Sequence, residues 1–394
     1  MTMSTEISRK RFLYVGTFQL PDRNAAAQRV TGVALLLRQL GYDVTFLDLN
    51  KFITESFTSE CVRHEGFEVY SIRYPRGFGD WLRHATTPER VAETLALHDD
   101  WCGIIAYNYP GLALLRLKKL CKRNNLKLLA DCTEWYAPYF SLNPHKVATN
   151  VDSFLRMRIA QKKCDGVIAI SSFLADYYKK HTCCMILPPV IDRSNAKWQV
   201  DPSKDKDTGR GRKLCYIGSP GANMGKDRLD MIITALFQSG LNNLSLEIAG
   251  ITRENYEEVF PKHHEMIETL IAAGRLRFHG RLAHQAALEL LKSSDFSIFY
   301  REDSRMTRAG FPTKFVESIT CGVPVITTIT SDLKKYLGDG RNGLVIEPPA
   351  GCGEVVRAFT EAATMELPPA ADSALFDIGN FKTEMSNFLD RMKL

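Results

Sequence analysis

The 394-residue chain contains no run of the roughly 18–20 apolar residues that a bilayer-spanning helix needs. Its first residues, MTMSTEISRKR, are basic but lead only into a short apolar stretch, which does not read as a secretory signal. The ten cysteines form no C-x-x-C pair at zinc spacing, and several, such as Cys164, Cys215 and Cys321, sit inside apolar runs, where a thiol behaves as a small hydrophobe. That usage argues for a reducing compartment, so the expected location is cytoplasmic, with contact at the inner face of a membrane left open. The charge excess is only +6, too small for a nucleic-acid partner but compatible with nucleotide diphosphates or an anionic surface. G-x-G-x-x-G after the first strand and G-x-x-x-x-G-K-[ST] are both missing, which excludes the usual dinucleotide and Walker A signatures. No D-x-D pair is placed as a metal clamp, because Asp99-Asp100 falls in a helix–strand connection. Neither a metal nor a cofactor is expected.

A prior of about 150 residues per domain suggests two or three domains. The most informative stretch is Ala309–Thr328, AGFPTKFVESITCGVPVITT. Gly310, Phe311 and Pro312 form a loop, an apolar-periodic run from Thr313 to Cys321 predicts a short helix, Gly322 stops it, and Val323–Thr328 reads as a buried strand. Phe315, Val316 and Ile319 share the buried side of the helix. The unpaired N–H groups at its start make a phosphate site, with Thr313 and Lys314 beside it. Glu317, one turn further in, could accept from ribose hydroxyls. A second phosphate-binding layout lies upstream. There the strand Lys213–Gly218 runs into a loop from Ser219 to Gly225, and Lys226 is expected to open the next helix. Lys226 would neutralise a leaving diphosphate, or else be a solvated lysine at a helix start. Between these stretches, Arg301, Arg305 and Arg308 could add phosphate charge or form a solvated basic loop.

The N-terminal half repeats strand and helix. Phe12–Gly16 leads through a loop at Thr17 to a helix with Val30, Val33, Ala34 and Leu37 on one face, and then to the strand Asp43–Leu49, a βαβ unit. The strand Lys127–Asp131 runs into Cys132-Thr133-Glu134-Trp135-Tyr136. Charged and aromatic residues at a strand's carboxyl end mark the ligand crevice of an open α/β sheet. Asp131 or Glu134 could bind hydroxyls or take a proton, and Trp135 and Tyr136 could stack on a sugar or simply cover a core edge. A long helix is expected from His145 to Cys164, and another over Glu254–Ala273.

Glu317 followed by Cys321-Gly322-Val323-Pro324-Val325-Ile326 resembles the nucleotide-sugar signature of the retaining GT-B glycosyltransferases called GT4. The GFPTKFVES form is similar to a branch found in bacterial surface-polysaccharide clusters. The family's first acidic residue, which usually touches the donor sugar, falls on Ala309. The family's loop commonly carries Gly-Arg and then Lys-Gly; Gly218 and Lys226 match, whereas Ser219 and Asp227 depart. The resemblance implies that Gly16 and Thr17 reach the donor phosphates and that Arg281 passes the nucleobase. It also implies that the run at Asp131 lies near the acceptor.

The expected fold is thus α/β, GT-B, with two Rossmann-like domains facing a central cleft. The N-terminal acceptor-side domain would cover 1–192, a linker 193–212 and the nucleotide-sugar domain 213–375, with a C-terminal helix at 376–394 crossing back to the first domain. The resemblance implies a hexosyltransferase moving a sugar from a UDP-linked donor to a glycan or lipid-linked acceptor with retention, in capsule or O-antigen type polysaccharide synthesis. The expected catalytic groups are Lys226, Glu134 and Asp131. Donor contacts would come from Gly16, Thr17, Gly218, Ser219, Arg281, Arg308, Gly310, Phe311, Pro312, Thr313, Lys314 and Glu317. A nucleotide-sugar 2-epimerase and an inactive partner-binding subunit are the rival readings.

Overall fold

A computed structural model describes residues 10–21, 24–54, 57–136, 140, 142–199, 211–221, 224–337, 340–348, 351–366 and 370–394, with 57–59 described in backbone only. The chain divides into two compact units, one of Met1–Asp192, Ala309–Phe311 and Ile378–Leu394, the other of Arg193–Arg308 and Pro312–Asp377. Most of the expected linker, 200–210, lies outside the described residues.

The first unit is built on eight strands: β1 (Arg11–Gly16), β2 (Asp43–Asn50), β3 (Phe57–His64), β4 (Phe67–Arg73), β5 (Trp101–Tyr107), β6 (Lys127–Cys132), β7 (Gly166–Ala169) and β8 (Cys183–Ile186). Their order is β3-β4-β2-β1-β5-β6-β7-β8. Every neighbouring pair is parallel except β3 and β4, which are joined by a two-residue turn at Glu65-Gly66. The chain starts in the middle at β1, moves outward through β2 to the edge strand β3, folds back as β4 between them, then returns to add β5 on the other side of β1. That reversal leaves a crevice at the carboxyl ends of β1 and β5, where open α/β sheets bind ligands. The second unit follows the same plan with β9 (Arg212–Ile217), β10 (Leu244–Ala249), β11 (Leu276–Gly280), β12 (Phe296–Phe299), β13 (Val325–Thr328) and β14 (Gly343–Ile346), ordered β11-β10-β9-β12-β13-β14 and all parallel. Its reversal falls between β9 and β12.

Central strands covered on both faces must be apolar throughout, and β1 reads FLYVG with every residue after Arg11 either buried or nearly so. The helix Thr313–Thr320 packs Phe315, Val316 and Ile319 inward, as its spacing predicts. It ends in a Schellman motif: Val323 N–H donates to Ser318 C=O and Gly322 N–H to Ile319 C=O. Gly322 has φ +70°, which an L side chain resists, so glycine is required before the chain turns into β13. The C-terminal helix Lys382–Arg391 buries Met385, Phe388 and Leu389 in the first unit's core. A Cβ on Gly166 would lie 2.8 Å from the Phe388 ring, so the glycine in β7 makes room for that helix.

Several elements differ from the sequence-based expectation. Lys226 opens no helix: the helix is Leu229–Ser239, and the N–H groups of Lys226 and Asp227 both donate to Pro220 C=O in a closed loop. The helix expected over 254–273 is broken at Pro261, which cannot donate within a helix. The long helix near 145–164 is Pro144–Leu155 followed by a π-helical turn at Arg156–Ala160 and a 3₁₀ turn at Gln161–Lys163. Arg305–Ala309 is a short helix, not a loop. Strand β3 and the helices Gly77–Thr86 and Glu89–Leu95 were not anticipated.

The turn after β1 is shaped by Asp48, a fully buried carboxylate on β2 that accepts from the N–H groups of Phe18, Gln19 and Leu20 at 2.8–3.0 Å. Asp48→Ala removes the acceptor for all three donors. It should destabilise the protein by about 2–6 kcal/mol in urea unfolding, since two of the donors, Phe18 and Leu20, are buried and each buried donor left unpaired costs about 1–3 kcal/mol.

Candidate active site

In the second unit, β9 ends at Ile217 and Gly218 turns the chain with φ +111°, packed so closely that a Cβ there would lie 3.1 Å from the Lys314 side chain. That approach brings Lys314, on the first turn of the Thr313–Thr320 helix, under the loop. Its ammonium donates to Asp227 Oδ2 at 2.5 Å, to Tyr216 Oη at 3.2 Å and to Ser219 C=O at 3.2 Å. An ammonium has three protons, so all three are engaged. Asp227 is wholly buried, and its other oxygen accepts from Arg301 Nε at 2.6 Å. Tyr216, on β9, donates to Asp227 at 3.0 Å. One buried carboxylate therefore holds a buried arginine and a largely buried lysine at the carboxyl ends of β9 and β12. Burial works to raise the Asp227 pKa, but Lys314 and then Arg301 hold it well below the usual carboxylate range. Burial pulls Lys314 down from its ordinary value, against the opposing pull of Asp227. Burial, then Asp227, pushes the Tyr216 phenol up, so it remains a proton donor.

The other expected donor contacts differ in exposure and in partners. Ser219 and Lys226 are exposed on the loop, and Ser219 Oγ accepts from Gly221 N–H. Arg301 is 7% exposed, and among the described residues the only hydrogen bond of its guanidinium is the one to Asp227, which leaves its two outer nitrogens for a ligand. Arg308 is exposed and held by Asp303 at 2.7 Å. Glu317 is largely buried, with His284 Nε2 at 3.9 Å; the His284 ring packs edge-on against Trp198. Arg281 is exposed just after β11. Thr313 and Gly310 are half-buried, Pro312 and Phe311 buried. Ala309, Gly310 and Phe311 group with the first unit, where Ser171 Oγ donates to Ala309 C=O at 2.6 Å.

Sequence reasoning missed Asp227 as a site residue. Its sequence neighbour Lys226 drew the attention, while its partner Lys314 lies 87 positions away. The available signal was a cation at the helix start combined with an acid at the family's Lys-Gly position.

In the first unit a cavity of about 230 Å³ opens at the β1–β5 reversal, with Gly16, Thr17, Tyr107, Tyr109, Tyr136 and Arg156 among its walls. The Arg156 guanidinium lies 4.8 Å from the Tyr136 ring centre and donates to Asn108 C=O at 2.7 Å. Tyr136 donates to the exposed Glu134. Asp131, expected among the catalytic groups, does not line the cavity. It is completely buried and accepts from Arg29 at 2.9 Å and Tyr14 at 2.5 Å, while Arg29 also donates to Leu187 and Pro188 C=O. Burial disfavours the Arg29 charge, yet Asp131 beside it raises its pKa overall. Both Asp131 oxygens are committed, which corrects the expectation: this carboxylate anchors the sheet end rather than exchanging protons with a substrate. Trp135 is likewise buried, edge-on to Phe173 and Tyr177, so it covers core and does not offer a stacking face.

Two stability tests follow from these groups. Asp227→Ala leaves Lys314 and Arg301 without a counter-charge and should cost about 3–5 kcal/mol, as for other broken buried ion pairs, with part of the loss recovered by adding Lys314→Met. The second concerns His84, on the cavity wall, whose pKa burial lowers from 6.5 to about 4. The unfolded chain then binds this proton at higher pH than the folded one, so stability is lost as pH falls from 6.5 toward 4. His84→Gln should remove about 2 kcal/mol of the fall in unfolding free energy between pH 7 and 4.5, at about 1.4 kcal/mol per pH unit.

Residues 204–369 match the family model described as glycosyl transferases group 1. No curated protein sequence matches the chain significantly. Among solved structures the chain is similar to sucrose-phosphate synthase from Thermosynechococcus elongatus, at 14% identity and TM-score 0.68 over 98% of this chain and 99% of that one. It is similar to Anabaena HepE in complex with UDP, at 15% identity and TM-score 0.64 over 97% and 100%. It is also similar to a trehalose-6-phosphate synthase, at 11% identity and TM-score 0.67 over 98% and 99%. These likenesses show the fold, two Rossmann-like domains of GT-B type, and the family match falls on the unit that carries the buried cation cluster. Residues 204–369 thus resemble the glycosyl transferases group 1, and the chain as a whole has the GT-B fold.

Proposed function

We propose that the protein transfers a hexose from a UDP-linked donor to a glycan or lipid-linked acceptor with retention, in the assembly of a cell-surface polysaccharide of capsule or O-antigen type. The observation that carries this reading is the Lys314–Asp227–Arg301 cluster at the start of the Thr313–Thr320 helix. A diphosphate would meet the helix N–H groups and the outer nitrogens of Arg301. Lys314, with its protons committed, positions the Gly218-Ser219 backbone and adds fixed positive charge. Lys226 on the exposed loop closes on the diphosphate from the other side. As the glycosidic bond breaks, negative charge grows on the leaving diphosphate, and cations already fixed in place stabilise that state more than the ground state. Glu317 binds the ribose hydroxyls. The UDP-bound state of HepE, and its complex with UDP and glucose, support the choice of donor.

Calorimetry with UDP, and UDP release from a panel of UDP-hexoses with and without glycan acceptors, test the reading. Glu317→Ala should weaken UDP binding by about 1.5–3 kcal/mol, the range for hydrogen bonds to charged groups. Lys226→Ala should lower kcat by about 10²–10³-fold with a smaller effect on donor affinity. No UDP binding by the folded wild type would overturn the donor assignment. Normal turnover in Lys226→Ala would move the direct phosphate contact to Arg301.

A further inference from the structure

The helix Pro144–Leu155 is amphipathic in the reverse of the usual sense. Its inner side is polar: Thr149, Asp152 and Ser153 help to wall the cavity of the first unit. Its outer side carries Val147, Val151 and Phe154 at positions i, i+4 and i+7, exposed by 44%, 62% and 56%. Just before it stand Phe140 and Leu142, at 93% and 86% among the most exposed large apolar side chains described. The helix Gly77–Thr86 extends the same face. Phe78, half exposed, stacks on Trp81, whose ring lies 5.3 Å from that of His145 at the start of the reversed helix. Clustered exposed apolar side chains of this size mark an interaction surface.

Charge says what covers it. The exposed cations Arg76, just before the helix Gly77–Thr86, and Lys146, in the first turn of the reversed helix, flank the apolar side chains in sequence, and Arg158 and Lys163 follow that helix. Between residues 140 and 163 the sole carboxylate is Asp152, and it is turned inward to accept from Gly111 N–H at 2.8 Å. Asp80, on the neighbouring helix, is paired with Arg73 at 2.8 Å. A second copy docked about a twofold axis would set this basic face against itself, which like charge opposes. Exposed apolar side chains accompanied by exposed cations instead fit a lipid interface with anionic headgroups.

We propose that this face, formed by the helices Gly77–Thr86 and Pro144–Leu155, docks the protein on an anionic bilayer surface. The apolar side chains insert below the headgroups while Arg76 and Lys146 pair with phosphates. Because the opposite side of the same helix walls the cavity, docking sets that cavity beside the interface, where a lipid-linked acceptor would present its sugar. This last step rests on the proposed transferase reading; the docking itself does not.

The test is flotation of the full-length protein, without any sugar substrate, on vesicles of phosphatidylcholine alone or with roughly one-quarter phosphatidylglycerol, at low and high salt. Wild type should float at least about tenfold more with the anionic vesicles at low salt, and less at high salt. Val151→Ser with Phe154→Ser should lower binding about tenfold at either salt concentration, and Lys146→Glu with Arg76→Glu should lower it mainly at low salt. All four side chains are exposed, so melting transitions should match wild type, and Val147→Ser serves if either pair melts early. Equal flotation with neutral and anionic vesicles, no flotation, or undiminished binding by the serine pair would overturn the proposal. Concentration-dependent dimerisation abolished by the serine pair would reassign the face to a second copy. UDP binding is read separately, so a failure here leaves the donor site untouched.

Discussion

The arrangement of the second unit depends on one carboxylate. Asp227 cannot be buried as an unpaired anion, and neither Arg301 nor the largely buried Lys314 can leave water as an unpaired cation. Each is tolerable because the others are present. The consequence is geometric: the loop after β9, the start of the Thr313–Thr320 helix and the end of β12 are drawn to a single point by contacts of 2.5–3.2 Å. Positive charge remains in excess at that point, beside the free N–H groups of a helix. The excess positive charge follows from the requirement that the cluster hold together, and it is the feature on which the proposed diphosphate site rests.

The first unit solves a related problem at its own reversal. Tyr14 on β1 and Tyr216 on β9 both sit on the central strand near its carboxyl end, and both donate to a buried aspartate, Asp131 or Asp227. In each case a tyrosine inside the sheet must satisfy its hydroxyl, and an aspartate paired with a cation accepts it. The two units differ in what is left over. Arg29 directs its remaining donors to Leu187 and Pro188 C=O, so the Asp131 cluster is closed. Arg301 keeps its outer nitrogens open among the described residues. A closed cluster anchors a sheet end, whereas an open one can also receive an anion. The cavity beside the first cluster is walled by Tyr107, Tyr109 and Tyr136 together with Arg156 and Asp152.

Much of this was legible in the sequence. Apolar runs bounded by glycine gave the buried strands, and the spacing of Phe315, Val316 and Ile319 gave the helix after Gly310 together with its inner side. What escaped has identifiable physical causes. Strand β3, FTSECVRH, lies at a sheet edge, where one side stays in water and polar residues dilute the alternation. The helix after the β9 loop starts at Leu229 rather than Lys226 because Asp227 is pulled inward by residues 74 and 87 positions away. No local pattern carries that information. Asp131 was noticed for being an acid at a strand end, but its role was decided by Arg29, 102 positions earlier.

The helix Pro144–Leu155 shows a further limit of periodicity. The spacing of Val147, Val151 and Phe154 fixes that they share a side, but not which side meets the protein. Ordinarily the apolar stripe faces the core because nothing polar there competes for contact. Here the inner neighbours are a cavity rim that includes Asn108, and the N–H of Gly111, which needs an acceptor. Asp152 supplies that acceptor, and with it the helix is held with its polar side inward and its valines out. A buried donor left unpaired costs about 1–3 kcal/mol, while a partly exposed valine stripe forgoes a comparable amount of burial. The polar inner side, once required by the cavity, leaves the apolar side chains facing outward.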